Sequence, residues 1–415
     1  MRAYERFLKY VTIHTTGRRD AETVPSTPCQ FDLARYLVEE MKGIGITDAR
    51  VDEKCYVYGS IPATPGFEDG VRLGFISHMD TSPDFSGEGV RPLMHANYDG
   101  GAVALPGGIV LTPEIFPHLP SLKGRTLITS DGTTLLGADD KAGIAEIMTM
   151  AERLLREDRP HGRISIAFTP DEEVGNGACD LDPATFAADF GYTVDGGAEN
   201  NVEYENFNAA RARFEIRGRS VHPGEAKGKM INAGALAVRI ASMLPAAETP
   251  EKTEEREGFF HLTDLEGNVE SARLSYIVRD HSAESFEARL ATLRMIEKTL
   301  NEEFPAGTVT LTIREQYRNM LEIIKLHMHL VENAKEAMRS LGLSPVTPPV
   351  RGGTDGARLS FIGLPCPNLG TGGYGFHGPY EHITVEAMDT VVEVLLGIVA
   401  RYADTQAVTS GDGLQ

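Results

Sequence analysis

The stretch Leu73-Gly74-Phe75-Ile76-Ser77-His78-Met79-Asp80 is a short apolar run that stops on an imidazole and a carboxylate. A run of this length reads as a buried strand, and the same punctuation recurs twice. Residues 163–169 lead into Pro170-Asp171-Glu172-Glu173, and 191–194 lead into Asp195-Gly196-Gly197. Helical periods lie around them. Over 29–42 the apolar positions are Phe31, Leu33, Ala34, Leu37, Val38 and Met41, with Ser26 and Thr27 as caps and Gly43 and Gly45 as stops; a second helical pattern spans 140–157. Strands alternating with helices predict an α/β sheet covered by helices on both faces.

The pattern changes near residue 208. Ala212-Arg213-Phe214-Glu215-Ile216 alternates strictly, as a strand with one wet face does. A helix over 231–243, strands over 257–265 and 271–279, a helix over 283–301 and a strand over 308–314 follow. The order βαββαβ describes a ferredoxin-like unit inserted into the chain. The expected organisation is a discontinuous α/β domain from 1–207 and 318–415, interrupted by a second domain at 208–317. A helix over 384–402 and a polar tail after Thr405 close the sequence.

A chain of 415 residues is long enough for two or three domains, and 41% hydrophobic with 24% charged residues is a globular composition. A formal charge of -20 disfavours nucleic acid and anionic membranes, which select basic patches. Cys29, Cys55, Cys179 and Cys366 show no metal-binding or redox spacing and read as free thiols. With no signal-peptide pattern and no run long enough to span a bilayer, a cytoplasmic location is expected.

Ligand sites in open α/β sheets gather at the carboxyl ends of strands. His78 and Asp80 stand there with side chains on the same side of extended chain, so His78 can bind a metal while Asp80 holds its other ring nitrogen. Asp139 and Asp140 follow Leu135-Leu136 and precede a helix, where a carboxylate can cap the helix or bridge two metal ions. Of Glu172 and Glu173, one can bind metal while the other serves as general base. Asp195, and His377 in a glycine-rich loop, supply two further ligands. Two imidazoles and three carboxylates without thiolate suit zinc, with cobalt or manganese as substitutes. Metal-assisted hydrolysis is the expected chemistry.

Over nearly its full length the sequence closely resembles the peptidase T family of tripeptide aminopeptidases, within the clan of dizinc aminoacylases, dipeptidases and carboxypeptidases. The segments that carry the resemblance include GFISHMDTSPD, TLLGADDKAGIAEIM, AFTPDEEVG, YTVDGG, VHPGEAKG and RGGTDGA. The resemblance implies a dizinc catalytic domain with the inserted domain as its lid. It implies His78 and Asp195 on one zinc, Glu173 and His377 on the other, and Asp139 between them. Glu172 becomes the general base, Asp80 orients His78, and the bond between Asp139 and Asp140 is expected to be cis. His222 resembles the lid histidine that steadies the oxyanion. Arg279 and Arg351 resemble residues that grip the peptide backbone or its terminal carboxylate, and Asn206 and Asn208 are assigned to the free amino end. The same site type also serves dipeptidases, N-acyl amino acid deacylases and carboxypeptidases, and a binding protein that has lost turnover is a third reading. Small peptides are the expected partners, and the clan admits a homodimer. The remaining histidines, His118 and His382 among them, are read as structural or exposed.

Overall fold

The computed structural model describes residues 1–411, with side chains described to residue 404; the side chains of the polar tail after Thr405 lie outside that range. The chain divides into two compact units, one of Met1–Tyr204, Glu322–Pro348 and Thr354–Gln415, the other of Glu205–Leu321 and Pro349–Gly353.

The first unit is built on a seven-stranded mixed sheet. Leu73–His78 lies at its centre, parallel to Ile164–Thr169 on one side and to Phe190–Val194 on the other, and the latter pairs in parallel with Asn368–Leu369. Val57–Ile61 and Val202–Glu203 extend it antiparallel at the flanks. Every residue of Leu73–His78 and Ile164–Thr169 is buried, which explains their near-continuous apolar sequence. The expected helices are present as Gln30–Ile44 and Ala138–Glu157. Ser26 is not the cap of the first: Cys29 occupies that position without a side-chain bond, and Ser26 instead binds Asp171. A smaller four-stranded sheet combines Leu93–His95 and Leu127–Thr129 with the hairpin Gly373–Tyr374 and His382–Thr384. No strong period marks this sheet in the sequence because these strands are two or three residues long.

The second unit is the expected βαββαβ. Asn208–Arg217, Phe259–Gly267, Ser271–Asp280 and Val309–Tyr317 form one antiparallel sheet, with Asn208–Arg217 and Ser271–Asp280 central. Ala233–Ser242 and Ala283–Glu303 pack their apolar residues on one face, around Phe214, Leu274, Phe286 and Leu290. The unit begins earlier and ends later than the alternating pattern because asparagines hold its boundary segments. Asn206 Oδ1 accepts from Met320 N at 2.8 Å, Asn208 Oδ1 accepts from Asn319 N at 3.0 Å, and Val350 N donates to Glu205 O at 3.0 Å.

A candidate two-metal centre

At the carboxyl end of the central strand, His78 Nδ1 lies 3.0 Å from the Asp80 carbonyl and 3.3 Å from Asp80 Oδ1. The carbonyl can only accept, so Nδ1 carries the proton and Nε2 is free for a metal. Asp80 also has a second task. Its two carboxylate oxygens accept the backbone N–H groups of Glu172 and Glu173 at 2.9 and 3.1 Å. The same buried carboxylate therefore fixes the His78 ring and the turn that carries both glutamates.

That turn is fixed from its other side by Asp171, a residue in the left-handed region (φ 58). Its carboxylate accepts from Ser26 N, Ser26 Oγ and Gln30 Nε2 at 2.6, 2.5 and 2.7 Å. The turn that precedes Ala138–Glu157 is held by Glu381. One oxygen accepts from Leu136 N and Gly137 N at 2.7 and 2.8 Å, and the other from Asp139 N at 2.9 Å. The Asp139–Asp140 bond is cis, as the resemblance implied. Asp140 faces away from that role and accepts His78 N at 3.1 Å. The sequence marks no role for Glu381 or Asp171, because the partners of Glu381 are backbone groups and those of Asp171, Ser26 and Gln30, lie over a hundred residues away, so neither leaves a local pattern.

The two oxygens of Asp139 serve two different clusters. Oδ1 lies 2.9 Å from His78 Nε2, which is 3.6 Å from Asp195 Oδ1. Oδ2 lies 3.3 Å from His377 Nε2, which is 3.0 Å from Glu173 Oε2. Each trio, His78-Asp139-Asp195 and Asp139-Glu173-His377, brings its ligand atoms within 4.8 Å of one another.

The electrostatics show what the clusters require. His78 is buried, and although burial opposes its charge, Asp195 and Asp139 hold its proton well above the usual range. Hydrogen bonds to Asp139 and Glu173 push His377 up to about 11. Burial and the neighbouring Asp139 raise Glu173 to about 8, and its buried Oε1 has no hydrogen-bond partner among the described residues. Imidazoles that retain protons this tightly, beside an orphaned carboxylate oxygen, mark a site that demands positive charge. Two dications fit that demand and the N/O donor set. Burial pushes Glu172 well above the carboxylate range; His78 opposes the shift while Asp355, Asp195 and Glu173 add to it.

The family model for peptidase family M20/M25/M40 matches residues 131–401. The chain belongs to this family. It is therefore a hydrolase of the peptidase class. Proteins named Peptidase T from Clostridium perfringens (strain 13) and from Caldanaerobacter subterraneus subsp. tengcongensis are 51% and 50% identical to it, over 97% and 96% of this chain and 99% and 98% of theirs. Among solved structures, the aminopeptidase PepT of Bacillus cereus superposes with a TM-score of 0.78 at 24% identity, covering 97% of this chain and 98% of that one. A dinuclear metal-binding M20 peptidase of Bacillus subtilis gives 0.64 at 15% identity, covering 97% and 98%. These structural likenesses establish the mixed-sheet α/β fold of the family.

The other expected site residues belong to the second unit. His222 is exposed, and its Nδ1 accepts Gly224 N at 3.2 Å at the start of a short turn. Arg279 lies over the Tyr317 ring at 5.3 Å and donates to Val278 O and Gln316 Oε1 at 3.0 and 3.2 Å. Arg351 donates to the carbonyls of Glu255, Glu257 and Thr253 and to Thr253 Oγ1, between the rings of Phe207 and Phe259. Asn206 and Asn208 are buried. Their amide hydrogens go to Phe207 O and Arg318 O, and to Asp280 O and His281 O.

Proposed function

We propose that the chain is a two-zinc aminopeptidase that removes the N-terminal residue from tripeptides. The observation that carries this reading is the division of the Asp139 oxygens between the His78-Asp195 and Glu173-His377 clusters. Its support at the level of substrate is the identity of about half of all residues with proteins named Peptidase T. When bound, the zinc ions supply Lewis acidity and lower the pKa of water.

The chain's own residues do the remaining work. Glu172, raised by burial, accepts a proton from the attacking water and returns it to the leaving amine. Asp80 holds that glutamate's backbone while orienting His78. His222 donates to the oxyanion, and Arg279 grips the terminal carboxylate of the peptide. Arg351 supports the 253–257 loop, and Asn206 and Asn208 are pins within their own unit rather than ligands of the amino end, since their amide hydrogens are spent on carbonyls. The second unit acts as the lid, the location is cytoplasmic, and a homodimer is compatible with the family.

Replacing Glu172 by Gln tests the chemistry apart from the binding. We expect kcat to fall at least about a hundredfold while two zinc ions per chain remain. Near-normal turnover by the Gln variant would remove Glu172 from the role of base.

A further inference from the structure

His377 is the most exposed of the five ligands, with 43% of its side chain accessible, and it sits in a loop at φ 63. A non-glycine residue in that backbone region persists only where its surroundings impose it. The loop is closed by the antiparallel hairpin Gly373–Tyr374 and His382–Thr384, in which Tyr374 stands opposite His382. His118, which precedes the short helix Leu119–Leu122, meets both of these residues. Its ring stacks on Tyr374 with centroids 3.7 Å apart and planes 19° apart, and its Nε2 lies 2.8 Å from His382 Nε2.

The direction of that bond follows from its neighbour. His382 Nδ1 lies 2.7 Å from the Tyr380 carbonyl, which can only accept, so Nδ1 carries the proton and Nε2 is bare. His118 Nε2–H is then the donor. Phe116 adds an edge contact to His382 at 5.4 Å and a tilted one to Tyr380 at 5.7 Å. His118 thus holds the two residues at which the loop leaves and rejoins its sheet, and touches the second of them through a half-buried bond.

We propose that His118 is a positioning residue for His377, setting the affinity of one of the two metal ions by clamping the base of the loop that presents the ligand. The proposal rests on the ligand assignment above. A purely structural histidine would lower the stability of the metal-free fold and leave the metals alone.

The test is titration of metal-free protein with Zn2+ against a chromophoric chelator, for wild type, His377→Ala, His118→Ala and His118→Phe. The Phe variant keeps a ring on Tyr374 and loses only the donor, so it remains informative where the Ala variant fails to fold. The reference variant His377→Ala identifies which zinc equivalent depends on the loop. His118→Ala is expected to weaken that same equivalent by about 10- to 100-fold, the usual effect of removing a group that orients a ligand. His118→Phe should weaken it less, and the other equivalent should stay unchanged in both. Unchanged titrations, equal weakening of both equivalents, or a fall in metal-free melting temperature with metal affinity intact would each overturn the proposal. If His377→Ala retains both equivalents, the ligand assignment falls and this inference with it. If His377→Ala loses one and neither His118 variant affects it, only the inference falls.

Discussion

Asp80 illustrates how much one side chain carries in this site. Its carboxylate lies 3.3 Å from His78 Nδ1 and also holds the backbone of Glu172 and Glu173. Removing it should disturb a ligand, a second ligand and the base together. Asp80→Ala is therefore expected to lower both zinc affinity and kcat by about 10- to 100-fold, measured by metal titration and by peptide turnover; a change in kcat alone would confine Asp80 to the base. His78→Ala should lose one zinc and the activity together, and metal analysis showing two zinc ions retained would contradict its assignment. The residues that the two clusters bring together were legible in sequence because imidazoles and carboxylates at the ends of apolar runs have few other reasons to gather. Asn206, Asn208 and Glu381 were not legible in the same way. An amide or carboxylate whose partners are backbone groups over a hundred residues away has no local signature.

Among the elements, the helix Ala138–Glu157 packs closely on the strands Leu73–His78 and Phe190–Val194, and Gly143 is the reason it can. A Cβ there would meet Val194 O at 2.0 Å, Asp140 Oδ1 at 2.6 Å and Ser77 Oγ at 2.6 Å, of which the first is backbone. Gly143→Ala should cost about 1 to 3 kcal/mol or more, visible as a lower urea midpoint; a neutral result would mean that helix and sheet separate easily. The hairpin behind His377 makes a pH prediction. Burial lowers the His382 pKa from 6.5 to about 4, so between those values the unfolded chain binds a proton that the folded protein refuses. Stability then rises with pH across this window and is lost as acid is added, by up to about 3 kcal/mol from this residue. Urea unfolding of metal-free protein at several pH values should show a shallower acid loss in His382→Gln than in wild type, and equal slopes would refute it. Most long helices and strands were predicted to within a few residues of their observed ends, but the last helix, expected over 384–402, runs Val385–Gly411 and takes in the start of the polar tail. The smaller sheet under the His377 loop was not, since strands of two or three residues carry no readable period.

At the scale of the molecule, the discontinuous arrangement was legible from a single change of pattern, buried parallel strands giving way to strict alternation. The boundaries shifted because asparagine pins and the segment Pro349–Gly353 belong to the second unit, a long-range fact no local pattern encodes. Two bound ions should also stabilise the whole first unit. Zinc at a hundred times its Kd adds about 2.7 kcal/mol, so chelation should lower the melting temperature by several degrees and zinc return should restore it. An unchanged melting temperature would argue against a preformed metal site. The central claim is metal-dependent release of the N-terminal residue from tripeptides, and it is tested most directly by one measurement. Hydrolysis of di-, tri- and tetra-alanine, each with free and acetylated amino ends, is followed before chelation, after it, and after zinc return. Zinc-restored cleavage confined to free tri-alanine, yielding alanine and di-alanine, is the predicted result; cleavage of the acetylated peptides, or turnover that survives chelation, would contradict it.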